Sequence, residues 1–218
     1  MGARLPASAI DIPIADRLPV PVFDVGNVLI RWDPRFLYRK LIADEAERED
    51  FLARICAPEW NQQMDGGKSF AQGVAERVAL FPDKADLIRA FDSRWIETLG
   101  GAIEGTVAIL EELRARGVRT YAITNFSHEK FALASEVYPF LSAFDGTVVS
   151  GRERVLKPDP RIFRLLCDRY GLAAEACFFI DDSQPNVESA RRLGMQAHWF
   201  DNPEKLRADL KAAGLPLD

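Results

Sequence analysis

Short apolar runs alternate with amphipathic segments through the C-terminal part of the chain. From residue 102 onward, helical stretches with apolar residues at every third or fourth position follow short runs of β-type residues. The first of these helices ends at Gly117, a residue type common just after a helix C-terminus. We predict strands at 118–124, 145–150, 177–181 and 195–200, and helices at 104–116, 127–136, 161–170, 185–193 and 203–213. This alternation predicts an α/β fold with a Rossmann-like parallel sheet that has helices on both faces.

The pattern changes between residues 33 and 101. Apolar positions there follow helical spacing, and no strand-like run interrupts them. The block follows a short apolar run that ends in Asp24, so we predict a core of residues 20–33 and 102–218 with a helical subdomain, 34–101, inserted after its first strand. The predicted helices of this subdomain are 36–42, 45–55, 69–81 and 84–99. Residues 1–19 are expected to form a loosely ordered arm.

The composition is that of an ordinary globular protein. Of the 218 residues, 48% are hydrophobic, which is ample for a buried core, and the net charge of −5 argues against a nucleic-acid partner. No apolar run approaches the roughly 18 residues of a membrane span, so a membrane partner is not expected. The cysteines Cys56, Cys167 and Cys177 lack CxxC spacing and indicate reduced thiols in a cytoplasmic protein. We expect a monomer or a homodimer.

Carboxylates end two of the predicted strands. Asp24 follows the apolar run at residues 20–23, and Asp181 and Asp182 end the run that begins at Cys177. Ligands of open α/β sheets bind beyond the carboxyl ends of the strands, so these acids should meet there. Two carboxylates 4 Å apart repel each other by about 4 kcal/mol in a surface-like dielectric, and a cluster with oxygen ligands suits Mg²⁺. Gly26 would let the backbone bend sharply and expose a carbonyl oxygen.

Further polar groups follow other core strands. Thr124 and Asn125 end the predicted strand 118–124, where a hydroxyl and a free backbone N–H can hold an anionic oxygen. Alternatively, Asn125 or Ser127 caps the helix that follows. Lys157 precedes a Pro-Asp-Pro sequence that stiffens the approach to the next helix and directs the ammonium group, although a lone lysine is usually a solvated surface residue.

The order of these pieces resembles the four motifs of the haloacid dehalogenase superfamily. Phe-Asp-x-Gly-Asn-Val around Asp24, then Thr124-Asn125, then Lys157-Pro158, and last Asp-Asp-x-x-x-Asn from Asp181 follow one another along the chain. The resemblance covers nearly all of residues 20–200. Within the superfamily the chain is similar to bacterial phosphatases with a small helical cap inserted after strand one, some of which act on sugar 1-phosphates. It implies an Mg²⁺-dependent phosphatase whose substrate is a small phosphorylated metabolite, such as a sugar phosphate.

The resemblance also implies a role for each motif residue. Asp24 would attack phosphorus and form an aspartyl-phosphate, while Lys157 would neutralise charge on the nucleophile and the phosphoryl group. Thr124 and the Asn125 N–H would hold phosphate oxygens. These roles fit phosphoryl transfer, which depends mainly on positioning and electrostatic stabilisation. The implied Mg²⁺ ligands are a second oxygen of Asp24, the carbonyl of Gly26 and Asp182, with Asp181 in or just outside the coordination sphere.

One position departs from most phosphatases of the superfamily. Those enzymes carry a second aspartate two residues after the nucleophile as general acid and base, and this chain has Gly26 there. General acid–base catalysis contributes about 10²–10⁴-fold, so another group should supply the proton. The candidates are the cap, a metal-bound water and a substrate hydroxyl, and among individual residues Asp65 and His128. Residues between Trp60 and Lys68, with Trp60 and Asp65 among them, are expected to contact substrate.

Three other functions compete with the phosphatase. Gly26 suggests a catalytically weak protein that binds phosphorylated ligands without turnover. A 2-haloacid dehalogenase shares the fold and an aspartate nucleophile, but it needs no metal and resembles a Ser-x-Asn pattern where this chain has Asp181 and Asp182. A response-regulator receiver carries its acid pair on the first strand, which is the reverse of the order in this chain, and is therefore rejected.

Overall fold

The structure is a computed structural model that describes residues 18–218. The predicted arm, residues 1–19, lies outside the described residues except for its last two. The strands are β1 (Val20–Phe23), β2 (Ile30–Trp32), β3 (Leu99–Ala102), β4 (Tyr121–Thr124), β5 (Gly146–Val149), β6 (Cys177–Asp181) and β7 (Gln196–Trp199). The helices are α1 (Arg35–Tyr38), α2 (Glu45–Arg54), α3 (Pro58–Asp65), α4 (Phe70–Leu80), α5 (Ala85–Ser93), α6 (Glu104–Ala115), α7 (His128–Val137), α8 (Ser150–Glu153), α9 (Pro160–Tyr170), α10 (Gln184–Arg192) and α11 (Pro203–Ala212).

Five parallel strands form the central sheet in the order β5-β4-β1-β6-β7. The strand β1 lies at the centre of the sheet, and β4 and β5 follow on one side of it. The chain then crosses the sheet, and β6 and β7 lie on the other side of β1. The strand order therefore reverses between β1 and β6. In doubly wound sheets this point opens a crevice at the carboxyl ends of the strands, where ligands bind. The predicted α/β fold with a parallel sheet is confirmed.

Successive residues of the central strands point to opposite faces of the sheet, and both faces are buried. On one face, Phe23 and Ile180 join a core cluster with residues of α6, α7 and α11. On the other face, Val22 and Phe179 pack with residues of α9 and α10. Burial on both sides explains why these strands read as continuous apolar runs rather than as alternating ones.

Local sequence signals set several helix boundaries. Asp44 accepts a hydrogen bond from the Glu47 N–H at the start of α2, and Asn202 accepts one from the Lys205 N–H at the start of α11. Asp159 caps α9, which begins with Pro160, a residue favoured in a first helical turn. Gly171 ends that helix in the left-handed region, at φ 65°.

The segment between β2 and β3, residues 33–98, is called the helical insert below. It contains α1 to α5, and among the described residues no strand lies between β2 and β3. Three details differ from the prediction. The helix predicted at 36–42 ends earlier, since α1 spans Arg35–Tyr38. The helix α3 was not predicted, because residues 61–65, Asn-Gln-Gln-Met-Asp, lack an apolar period. The helix predicted at 84–99 is shorter, since α5 ends at Ser93 and a 3₁₀ turn, Trp95–Thr98, leads into β3.

The strands β2 and β3 pair antiparallel where the chain enters and leaves the insert. Glycines explain why β3 forms where a helix end was predicted. A Cβ on Gly100 would lie 2.4 Å from the Phe36 ring, and Gly101 has φ +93°, a conformation that other residues rarely adopt. The boundary predicted at residue 101 therefore falls inside β3.

Aromatic residues form the core of the helical insert. Phe91 lies near the centre, with ring centroids 5.2 Å from Trp60, 6.0 Å from Phe70 and 6.5 Å from Tyr38. These side chains belong to the same apolar cluster as Phe23 of the central sheet, so the insert and the core share one continuous interior. None of the helices formed by residues 18–218 has the length and apolar character needed to cross a bilayer.

Candidate active site and metal centre

The register of β1 and β6 brings three carboxylates together. Phe23 pairs with Ile180, and the Asp24 N–H donates to the Ile180 carbonyl at 2.8 Å, so Asp24 and Asp181 leave the sheet side by side. Carboxylate oxygens of Asp24, Asp181 and Asp182 all lie within 4.8 Å of one another. The acids predicted from two distant segments therefore share one site at the switch point of the sheet. Three clustered carboxylates form a donor set that could hold a hard divalent cation.

Lys157 places its ammonium between two of these acids. Its Nζ lies 2.8 Å from Asp24 Oδ1 and 2.7 Å from Asp181 Oδ2, and it donates to the Ile123 carbonyl at 3.0 Å. The side chain is only 1% exposed, so this lysine is not the solvated surface residue of the alternative interpretation. A buried ammonium with three oxygen partners is fixed in position, and its charge faces the carboxylate of Asp24.

Burial dominates the electrostatics of the site. It raises the pKa of Asp24 to about 7, with the Lys157 ammonium opposing this rise and the Asp181 carboxylate adding to it. Burial disfavours the charged form of Lys157, but the charges of Asp181 and Asp24 outweigh it and raise the pKa of the lysine. Burial and the neighbouring Asp181 also raise the pKa of Asp182. The single positive charge of Lys157 therefore does not balance the negative charge of the three carboxylates, and a bound cation would favour their ionised forms.

Asp181 is held by hydrogen bonds on both of its oxygens. Its Oδ1 accepts from the Ser183 N–H at 2.8 Å and from Asn186 Nδ2 at 3.0 Å, while Oδ2 accepts from Lys157 and, at 3.1 Å, from the same amide. The side chain is fully buried. Asp181 is thus occupied by protein partners, whereas Asp24 and the half-buried Asp182 retain more of their oxygen surface for a ligand.

The backbone after Asp24 bends at Asn27 rather than at Gly26. Asn27 has φ 55°, in the left-handed region that asparagine tolerates, and its Oδ1 accepts from the Trp32 N–H at 2.9 Å. Gly26 is not among the residues with positive φ. A Cβ built on Gly26 meets no atom within 4 Å. The glycine therefore leaves open space beside Asp24, and the sharp bend predicted for it belongs to the next residue.

A second group of polar atoms lies at the carboxyl end of β4, on Thr124 and Asn125. Thr124 Oγ1 is buried and has no hydrogen-bond partner among residues 18–218. Asn125 accepts from the Lys157 N–H at 2.8 Å and donates to the Lys157 carbonyl at 2.9 Å, which ties the lysine loop to β4. Ser127 occupies the N-cap position of α7, as the alternative predicted, but its side chain makes no capping hydrogen bond, and Asn125 is not the cap. An unpartnered buried hydroxyl at the end of the strand next to β1 fits an anionic ligand oxygen.

A cavity of about 110 Å³ lies where the helical insert meets the carboxyl ends of the strands. Gly26 and Asn125 line it from the core side, and Asp65 lines it from the insert. Asn61 also lines it and falls within the range 60–68 that was expected to contact substrate. The lining residues that were not predicted for this role are Trp32, Phe70, Trp95, Phe126, Ser127 and Lys130. Four of these side chains are aromatic. A mostly apolar wall with a few convergent polar groups is typical of small-molecule sites.

The predicted substrate-contact and proton-donor residues Trp60, Asp65 and His128 occupy different environments. Asp65 is half-buried at the cavity, where its Oδ1 accepts from the Ser127 N–H at 2.9 Å, and desolvation raises its pKa to about 7. Trp60 is not among the lining residues; it is 2% exposed and donates to the Gly73 carbonyl at 3.1 Å inside the insert. His128 is exposed at the start of α7 and does not line the cavity.

Comparison with known proteins identifies the family. A family description of haloacid dehalogenase-like hydrolases matches residues 20–194, which include all four motifs. The chain belongs to the haloacid dehalogenase-like hydrolase family. The predicted superfamily and the predicted hydrolase class are thereby confirmed. The sesquiterpene phosphatase astK of Aspergillus oryzae is 25% identical to this hydrolase over 185 residues, which make up 80% of the chain and 85% of that protein.

Other curated relatives and solved structures extend the comparison. Three further curated relatives are longer than the matched region, and this chain covers only 10%, 52% and 38% of their respective lengths. The structure of a HAD-like hydrolase from Porphyromonas gingivalis is similar with a TM-score of 0.71 at 21% identity, over 92% of this chain and 99% of that chain. The structure of a HAD family enzyme from Bacteroides thetaiotaomicron, in complex with magnesium and inorganic phosphate, is similar with a TM-score of 0.64 at 23% identity. The similarity covers 83% of this chain and 93% of that chain. At these identities the likeness shows the fold alone.

Proposed function

We propose that the protein is an Mg²⁺-dependent phosphatase that hydrolyses a small phosphomonoester, a sugar phosphate or a similar metabolite, through an aspartyl-phosphate. The observation that carries the proposal is the arrangement around Asp24. Its buried carboxylate lies at the switch point of the sheet, 2.8 Å from the Lys157 ammonium and within an acidic cluster, and Thr124, whose buried hydroxyl has no partner among the described residues, ends the neighbouring strand β4. Phosphatases among the relatives, such as astK, support the same reaction class.

The donor set fits Mg²⁺ by its chemistry. Oxygen ligands suit this ion, and the raised pKa of Asp24 indicates more negative charge than Lys157 balances. Asp24, Asp182 and the Gly26 carbonyl would hold the ion, and Asp181, occupied by Lys157 and Asn186, would lie at its edge. When bound, Mg²⁺ would neutralise phosphate charge and keep Asp24 ionised. A magnesium and phosphate complex of a fold relative supports this assignment.

The protein's own groups account for the rest of the reaction. One oxygen of Asp24 attacks phosphorus, and covalent catalysis divides one difficult displacement into two easier ones. Lys157, fixed by Asp181 and the Ile123 carbonyl, stabilises charge on the attacking carboxylate and on the phosphoryl group. The Thr124 hydroxyl and the Asn125 N–H hold phosphate oxygens. We propose that the predicted cap, residues 34–101, which contains nearly all of the helical insert, covers the cavity and limits water access.

The cavity also guides the choice of substrates to assay. Its volume of about 110 Å³ and its aromatic wall favour a compact alcohol group. A second cavity of about 530 Å³ in the insert shares Trp32 and Asn61 with it, which offers room for a longer apolar group. The panel should therefore contain sugar phosphates, nucleotides, phosphoacids and isoprenoid phosphates. The free thiols of Cys56, Cys167 and Cys177 support a cytoplasmic location, and we propose a monomer or homodimer.

Release of inorganic phosphate tests the proposal. We expect release from at least one panel member with Mg²⁺ and little with EDTA. Asp24→Asn should abolish release while circular dichroism stays unchanged, and the exposed Asp50→Asn, whose carboxylate pairs with Arg54, is the matched control. Binding without release would favour the catalytically weak alternative, and chloride release from 2-chloropropionate would favour a dehalogenase. Near-normal turnover by Asp24→Asn would refute the nucleophile.

A further inference from the structure

Gly26 lines the cavity from the core side, two residues after the proposed nucleophile Asp24. A glycine has no side chain, so this position cannot supply a proton. A Cβ there would meet no atom within 4 Å, so the space beside Asp24 is open. An alkoxide is a poor leaving group unless a proton reaches its oxygen as the P–O bond breaks. An enzyme that hydrolyses ordinary phosphomonoesters at this site therefore needs a proton donor from another part of the cavity wall.

Asp65 reaches that wall from the last turn of α3. Its Oδ1 accepts from the Ser127 N–H at 2.9 Å, and its Oδ2 accepts from Asn61 Nδ2 at 2.8 Å. Its backbone carbonyl accepts from Ser150 Oγ at 2.6 Å. Two of these contacts are to the core, one through the carboxyl group and one through the backbone, so Asp65 is fixed against the loop between β4 and α7. Each oxygen accepts one hydrogen bond from the described residues, which leaves a lone pair on each for a proton.

We propose that Asp65 is the general acid and general base of this hydrolase, an inference that rests on the proposed phosphatase function. In the first step the Asp65 proton moves to the ester oxygen as the P–O bond breaks and the bond from Asp24 Oδ to phosphorus forms. In the second step the Asp65 carboxylate takes a proton from water as the water oxygen attacks phosphorus and the bond from phosphorus to Asp24 breaks. The products are alcohol and inorganic phosphate, with both acids restored.

The environment of Asp65 suits both roles. Burial raises the pKa of this carboxyl to about 7, and the Ser127 N–H bond only partly opposes the rise. A group with this pKa is populated in both forms at neutral pH, as a donor that later accepts requires. The charged side chain that shares the cavity wall with Asp65 is Lys130, which pairs with Asp92, and Glu129 on the same helix bonds the Phe70 N–H.

Other groups at the cavity are less suited to the role. Lys130 is held by the side chain and the backbone carbonyl of Asp92, and its Nζ lies 4.3 Å over the Phe70 ring. His128 is exposed and does not line the cavity. A purely structural role for Asp65, tying the insert to the core, makes different kinetic predictions from proton transfer, and an isosteric variant distinguishes the two.

The experiment compares two leaving groups in Asp65→Asn. An asparagine oxygen can still accept from the Ser127 N–H, and Asn61 can turn its amide to present oxygen to the new NH₂ group. With the best alkyl phosphate of the panel, kcat/KM should fall by about 10²–10⁴-fold. With p-nitrophenyl phosphate, whose leaving group needs no proton, a near-normal burst of nitrophenol should be followed by slow turnover. The wild-type decline of kcat/KM for the alkyl ester above about pH 7 should disappear in the variant.

Two further variants keep the test decisive. Glu129→Gln is the matched control, because Glu129 also bridges core and insert, to the Phe70 N–H at 3.4 Å, but does not line the cavity; it should keep both activities. Gly26→Asp combined with Asp65→Asn should regain alkyl phosphatase activity, since the space at Gly26 admits a side chain. Equal losses on both substrates, or an unchanged pH profile, would overturn the role of Asp65. Absence of Mg²⁺-dependent release by the wild-type protein would instead contradict the proposed function itself.

Discussion

Removal of the Lys157 ammonium is the most informative perturbation of the site. Its Nζ bonds Asp24, Asp181 and the Ile123 carbonyl, all within 3.0 Å, in a side chain that is 1% exposed. Lys157→Met keeps the length of the side chain and deletes the charge. Two buried carboxylates then face each other without the counter-charge, and the Ile123 carbonyl loses its donor.

The magnitude follows from the burial of these groups. Removing one partner of a buried ion pair costs about 3–5 kcal/mol. For a chain of this size, each kcal/mol shifts Tm by about 2–4 °C, so we expect a loss of about 6–20 °C near pH 8. The sign with pH can be worked out from Asp24, whose folded-state pKa of about 7 lies above its unfolded value. The stabilising contribution of such a group is complete below the unfolded pKa and is lost as pH rises through about 7, so the deficit of the variant should be smaller at pH 5 than at pH 8.

Urea denaturation of the metal-free protein at pH 5 and pH 8 measures this effect. Lys205→Met is the control, since Lys205 is 67% exposed in its pair with Asp201 and should change the free energy of unfolding by no more than about 1 kcal/mol. Added Mg²⁺ should recover more stability in Lys157→Met than in wild type, because the cation replaces the missing positive charge. A change at pH 8 no larger than that of the control would refute the electrostatic account of the site.

The remaining predictions concern one ligand and two structural contacts. Asp182→Ala should lose activation by Mg²⁺ in phosphate-release assays, and an unchanged metal dependence would exclude it from the coordination sphere. Asn125→Ala should lower the free energy of unfolding by about 1–3 kcal/mol, because both backbone groups of Lys157 lose their partner; an unchanged urea midpoint would contradict this. Gly146→Ala should cost about 1–3 kcal/mol, since a Cβ there lies 2.3 Å from the Tyr170 ring, and wild-type stability would show that the ring moves aside freely.

The core of the fold and the acidic cluster could be predicted because both depend on local patterns. The apolar runs of β1 and β6 end in Asp24 and Asp181, and parallel strands bring such ends to one edge of the sheet. The same reasoning placed Thr124 at the neighbouring strand end. No inference about distant side chains was needed at this stage.

The cavity could not be predicted, because its wall is made by contacts between distant segments. Lys130 pairs with Asp92, 38 residues away, and Asp65 bonds the Ser127 N–H, 62 residues away. Hydrophobic spacing on a single helix carries no information about such pairs. Trp60 illustrates the opposite difficulty, since a tryptophan in the right segment can pack entirely within the insert. The helix α3, which carries Trp60 and Asp65, was not predicted because it is short and polar.

The proposed covalent step on Asp24 can be observed directly. Protein mixed with the best substrate and Mg²⁺ is quenched during turnover, treated with borohydride and analysed by peptide mass spectrometry. An acyl phosphate is reduced by this reagent to an alcohol, so the account predicts homoserine at position 24 in the wild type. Turnover with an unmodified Asp24, or with reduction at another carboxylate, would contradict it.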